Sequence, residues 1–102
     1  MSEDIELAEV AERSRYEIRS GGVVAGFAMY RREAGRTTFT HTIVKPEFEG
    51  QGLGSRLARF ALDDTVARGE RIVPECPFIR AYLERHPEYA GSVDPVDEPE
   101  AR

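Results

Sequence analysis

The sequence predicts an α+β domain: a mixed, mostly antiparallel sheet in the order β-β-β-α-β-α, with helices laid against it. Three observations lead there. Residues 13–44 are rich in β-branched and aromatic residues broken by glycine-containing turns, the composition of strands joined by hairpins. From residue 53 onward the apolar residues recur every three or four positions, as they do along one face of a helix. The length, 102 residues, lets a folded chain bury about 65% of its extended surface, enough for one core and no second domain.

The elements follow in order. Arg13–Arg19 alternates and ends at Ser20-Gly21-Gly22, a two-glycine turn signal. Val23–Tyr30 is apolar on both faces, and Arg31–Arg36 reads as a polar hairpin loop with a basic tip of Arg31, Arg32 and Arg36 in solvent. Thr37–Val44 is the most β-prone run; strict alternation puts Phe39, His41 and Ile43 on one face and Thr40, Thr42 and Val44 on the other. Leu53, Leu57, Phe60, Ala61 and Leu62 mark a helix that Arg68 and Gly69 close. Arg71–Glu75 is a short strand, and Cys76-Pro77 opens a second helix with Phe78, Ile79, Tyr82 and Leu83 as its apolar face and His86-Pro87 as its end. Phe60, Phe78 and Leu83 are expected in the core, with Tyr82 and Tyr89 packing nearby. Residues 1–9 read as an acidic edge, 10–91 as the domain, and 92–102, with two prolines and four carboxylates, as a disordered acidic tail.

Composition narrows the function. The chain is 40% hydrophobic and 32% charged, with a net charge of −5; a general nucleic-acid binder would be basic, so nucleic acid is not an expected partner. No apolar run approaches membrane-spanning length and the acidic start lacks signal-peptide character, so no membrane partner and a cytoplasmic location are expected. A single cysteine, Cys76, excludes an internal disulfide, and the two histidines have no spaced partner, so no metal site is expected.

The most informative segment is Pro46–Ser55, where Gly50, Gly52 and Gly54 separate a strand from an amphipathic helix. Alternating glycines let a ligand approach the backbone. The first N–H groups of the helix lack intrahelical acceptors, and together with the helix dipole they form an anion site suited to phosphate or pyrophosphate. A P-loop would need Gly-Lys-Ser/Thr, and a dinucleotide fingerprint a glycine where Ser55 stands. The competing reading is a tight turn and nothing more.

Val44–Leu57 resembles the acetyl-CoA-binding motif of the GCN5-related N-acetyltransferase superfamily, Arg/Gln-x-x-Gly-x-Gly/Ala, with Gly52 and Gly54 on its two glycines. The Cys76-Pro77-Phe78 run and Arg85-His-Pro-Glu-Tyr89 are similar to the superfamily's small members of about a hundred residues, and the resemblance spans roughly residues 10–92. It implies a minimal acyl-CoA N-acyltransferase fold in which His41, Thr42, Ile43 and Val44 line the pantetheine. Glu49, Gly50, Gln51, Gly52, Leu53, Gly54 and Ser55 would cradle the pyrophosphate, with Arg56 nearby. Acetyl-CoA is the implied co-substrate. Two positions depart from the pattern. Glu49 stands where the motif has Arg or Gln, and Ile43, which takes up no proton, stands where small members often carry a glutamate.

For catalysis the sequence offers Cys76 at a helix N-terminus, where a thiolate is stabilised, and His41, a residue type that serves as a general base. Each has a structural alternative, an inert buried thiol and a satisfied strand histidine. The resemblance also implies an open acceptor side, or one completed by a second copy in a homodimer. Larger superfamily members shape that side with an N-terminal strand and two helices, where only about ten residues precede the first predicted strand here. Three functions are therefore compatible with the sequence: a minimal N-acetyltransferase acting on an unidentified amine or protein acceptor, a non-catalytic CoA-binding or sensing module, and a protein-interaction domain on the same fold.

Overall fold

In a computed structural model, which describes residues 4–95, the sheet has one strand more than the sequence suggests. Its five strands run in chain order: β1 (Ile5–Val10), β2 (Arg15–Ser20), β3 (Val23–Glu33), β4 (Arg36–Val44) and β5 (Arg71–Pro74). The extra strand is β1, assigned by sequence to the acidic edge. It pairs antiparallel with β2, from Ile5 opposite Ser20 to Val10 opposite Arg15. Its alternation is real: Ile5 and Leu7 pack on the core while Glu6 and Ala8 are exposed. The acidic residues hid the pattern, because Glu9 turns inward and is neutralised there by Arg32 and Arg68.

The β3–β4 hairpin is also tighter than expected. Its turn is Ala34-Gly35, both with positive φ (55° and 76°), so Arg31, Arg32 and Glu33 belong to β3. Arg32 is not at a solvated tip. It stacks over Tyr30, 4.2 Å from the ring centroid, and binds Glu9, Glu70, Thr37 and the Tyr16 hydroxyl.

Register in β4 changes once. Met29 faces His41, and the next residue of β3, Tyr30, faces Phe39. Thr40 is the extra residue of a β-bulge, and a bulge shifts the alternation by one position. Phe39 therefore lies on the helix-covered face with Thr42 and Val44, opposite Tyr30, Ala28 and Gly26. His41 and Ile43 lie on the other face, opposite Met29 and Phe27, where both are exposed. The strict alternation expected from sequence fails at this bulge.

α1 (Leu53–Ala67) covers the inner face, burying Leu53, Leu57, Ala58, Ala61, Leu62 and Thr65. β5 then pairs in parallel with β4, from Arg36–Arg71 to Phe39–Pro74. α2 (Pro77–Arg85) follows with Cys76 as its N-cap and Pro77 in its first turn. Phe60 and Leu83 are half-buried against the core, but Phe78 is 37% exposed, contrary to expectation. Tyr82 stacks on His86 at 4.0 Å and the Tyr89 hydroxyl donates to Asp63 at 2.5 Å. Part of the predicted tail is held. The Asp94 N–H donates to Ile72 O at 2.8 Å, and the Arg71 guanidinium donates to the Asp94 carboxylate at 2.9 Å. The rest of that predicted tail, residues 96–102, lies outside the described residues. No helix among the described residues is long and apolar enough to cross a membrane.

Candidate functional site: a cleft where the sheet splits

Parallel pairing of β4 with β5 ends at Phe39 and Pro74, and the Cys76 N–H donates to Phe39 O at 2.9 Å as the last rung. Beyond it the chain of α2 turns away, and Thr40–Val44 has no strand partner on that side among the described residues. A cleft of about 350 Å³ opens here, lined by Thr42 and Val44 of β4, Phe48–Gly50, Gly52–Ser55 and Phe78.

The glycine segment forms one wall. Lys45 is followed by a tight turn, Pro46–Phe48, and then by Gly50 and Gly52 at φ 85° and 75°. That left-handed backbone strains any residue with a Cβ, so the glycines are required by the path of the chain. At Gly54 a Cβ would stand 2.8 Å from Phe78 Cζ and 3.3 Å from Val44 Cγ2; glycine is what lets the helix start, the strand and the Phe78 ring meet. α1 has no side-chain cap, and its first backbone donor with an acceptor is the Arg56 N–H, to Gly52 O at 3.3 Å. From Gly50 to Ser55 no backbone N–H has a protein acceptor among the described residues. Unpaired amides at a helix N-terminus attract an anion.

The structure brings together Thr42, Val44, Glu49, Gly50, Gly52, Leu53, Gly54 and Ser55 of the residues singled out in the sequence. Gln51 is exposed in the same loop. Arg56 is exposed one turn into α1 and faces a neighbouring groove with Leu7 and Phe60. The side chains of His41 and Ile43 lie on the opposite face of the sheet, and Ile43 is 46% exposed. Cys76 is buried beside the closed end of the cleft, and its thiol donates to Thr42 Oγ1 across 3.3 Å. Sequence reasoning missed Phe48 and Phe78 as lining residues. Phe78 carries one usable signal, its place directly after Cys76-Pro77, which sets the second helix against the glycine loop. No group of three or more metal-ligating side chains occurs among the described residues.

A meander followed by a strand–glycine loop–helix–strand unit, with the sheet split beside the loop, defines an α+β protein with a cleft walled by unpaired backbone amides. The family follows from comparison. Residues 15–92 match the model of the GCN5-related N-acetyl-transferase family, most of the chain, which therefore belongs to that family. The solution structure of a GCN5-like protein from Staphylococcus aureus has the same fold, with a TM-score of 0.66 at 20% identity over 97% of this chain and 95% of that one. No curated protein matches the chain.

Proposed function

We propose that the cleft binds acetyl-CoA and that the protein transfers its acetyl group to an amine, free or on a protein. The observation that carries the reading is the row of unpaired amides from Gly50 to Ser55 at the start of α1. Pyrophosphate oxygens accept hydrogen bonds from these amides, and the positive end of the helix dipole offsets the nearby Glu49 carboxylate. The pantetheine arm, with its own amides, runs along the free edge of β4 at Thr42–Val44. The thioester then lies toward Thr42 and Cys76. The amine nitrogen attacks the carbonyl carbon, the C–S bond breaks, CoA leaves as thiolate, and the proton lost by the nitrogen goes to solvent. His41, on the outer face, takes no part in this scheme.

A second reading keeps the cofactor and drops the chemistry. Its support is the lining itself, whose one titratable side chain among the described residues is Glu49, on the glycine-loop side. A thermal melt tests the shared step. Ligand at about 100 times its Kd adds roughly 2.7 kcal/mol, a rise of about 10 °C or more for a domain this small. Acetyl-CoA and CoA are expected to raise Tm, with ATP as the control that leaves it unchanged. No rise at millimolar CoA leaves the glycines as a structural turn and removes both readings.

A further inference from the structure

The closed end of the cleft holds a hydroxyl whose hydrogen bonding is only half used. The bulge at Thr40 turns Thr42 inward, into the cleft lining. The buried Cys76 thiol donates to Thr42 Oγ1 at 3.3 Å. A thiol has one proton and a hydroxyl has one proton and two lone pairs. The S···O contact uses one of the two protons the pair carries; when the thiol supplies it, the Thr42 O–H is left over, and that hydroxyl makes no other hydrogen bond among the described residues. Thr42 lines the cleft, where a ligand's acceptor reaches that hydroxyl. The Cys76 backbone is held in place: its N–H is bound to Phe39 O at 2.9 Å and its carbonyl accepts the Arg80 N–H at 3.0 Å.

We infer that the Thr42 hydroxyl, oriented by the Cys76 thiol, donates a hydrogen bond to the thioester carbonyl oxygen of the bound acyl-CoA. The inference rests on the acetyl-CoA reading above. It makes Thr42 a catalytic residue and Cys76 a positioning residue that forms no acyl bond. A carbonyl oxygen is the better acceptor of the two atoms the thioester offers, and it is where negative charge develops when the amine adds. Thr42 keeps its proton throughout: the oxygen gains charge as the C–N bond forms and returns it as the C–S bond breaks. One donor aimed at such an oxygen contributes on the order of 10²-fold in kcat.

The test needs no acceptor. Acetyl-CoA labelled with ¹³C at the carbonyl is bound to the protein, its affinity is measured by calorimetry, and the labelled carbonyl stretch is read by isotope-edited infrared spectroscopy. In the unaltered protein the stretch is expected to fall below that of free acetyl-CoA. In Thr42→Val the fall is lost while acetyl-CoA still binds, its affinity lowered by no more than about tenfold for one neutral hydrogen bond, and in Thr42→Ser the fall is kept. In Cys76→Ala the band broadens, because the hydroxyl loses its orienting partner. If acetyl-CoA does not bind the unaltered protein, the proposed function fails. If it binds with an unshifted carbonyl, or if Thr42→Val retains the shift, the assignment of Thr42 is overturned and the proposed function stands. A melt of each variant checks folding. Should Thr42→Val not fold, Thr42→Ala takes its place, and the unaltered protein and the serine variant still decide the matter.

Discussion

Thr40 contributes little contact of its own, a long hydrogen bond of 3.4 Å to Met29 O, yet its extra place in β4 decides which side chains reach the cleft. Without the bulge His41 and Ile43 would face α1 and the two threonines would face solvent. Gly26 shows the same sensitivity from the partner strand. A Cβ there would stand 2.7 Å from Ile43 O and 3.3 Å from Val44 Cα, backbone atoms that cannot move aside alone. Gly26→Ala must push β3 from β4 at the cleft end, and overpacking of this kind costs about 1–3 kcal/mol. A fall in Tm of about 5 °C or more is expected; an unchanged Tm would show that the strands give way freely.

At the scale of elements, β1, β3 and α1 are joined by charge as well as by apolar contact. Glu9 of β1 receives hydrogen bonds from Tyr30 and Arg32 of β3 and is paired with Arg68 just past α1. Asp64 of α1 receives the Tyr16 hydroxyl at 2.6 Å and the Arg68 guanidinium at 2.9 Å. Burial pushes both carboxyls up, but the hydrogen bonds and the neighbouring arginines outweigh it and hold both below the ordinary carboxylate range. Burial and the hydrogen bond to Glu9 push the Tyr30 hydroxyl up to about 12. The sign for the carboxylates follows from linkage. A carboxylate with a lowered folded-state pKa contributes stability in full above its unfolded pKa, and that contribution disappears as pH falls through the folded-state value. Tm is expected to hold from pH 7 to about 5 and to decline below about 4.5, where unfolded carboxyls take up protons. Glu9→Gln should lower Tm at pH 7 and flatten the decline. An equally steep acid limb in that variant would place the acid sensitivity elsewhere.

For the whole molecule, β1 tests where the folding unit begins. The family match starts at residue 15, but the sheet starts at Ile5. A chain beginning at Arg15 loses the half-buried Ile5 and Leu7, worth about 1–2 kcal/mol each when partly buried, and leaves Arg32 short of a carboxylate partner. The expected deficit is on the order of 3 kcal/mol, roughly 10–20 °C in Tm. A truncated chain as stable as the full one would make β1 an appendage.

Much of this molecule was legible in its sequence. Period and composition fixed the α+β class, the meander, both helices and their boundaries, because each depends on side-chain spacing along a single segment. The glycine loop was legible for the same reason: positive φ and a helix start are local demands that only certain residues meet. Other features depend on partners distant in sequence. Ile5–Val10 reads as acidic until Arg32 and Arg68 arrive to neutralise Glu9. Arg32 reads as solvated until a two-residue turn brings it into the sheet. The faces of Thr42 and His41 could not be assigned, since a bulge is fixed by the register of two strands and leaves no mark on the alternation of one. The sequence by itself determined the glycine turn and the helix that starts behind it, whereas the tertiary structure alone decided that Thr42 and Cys76 would meet at the end of the cleft and that His41 would not.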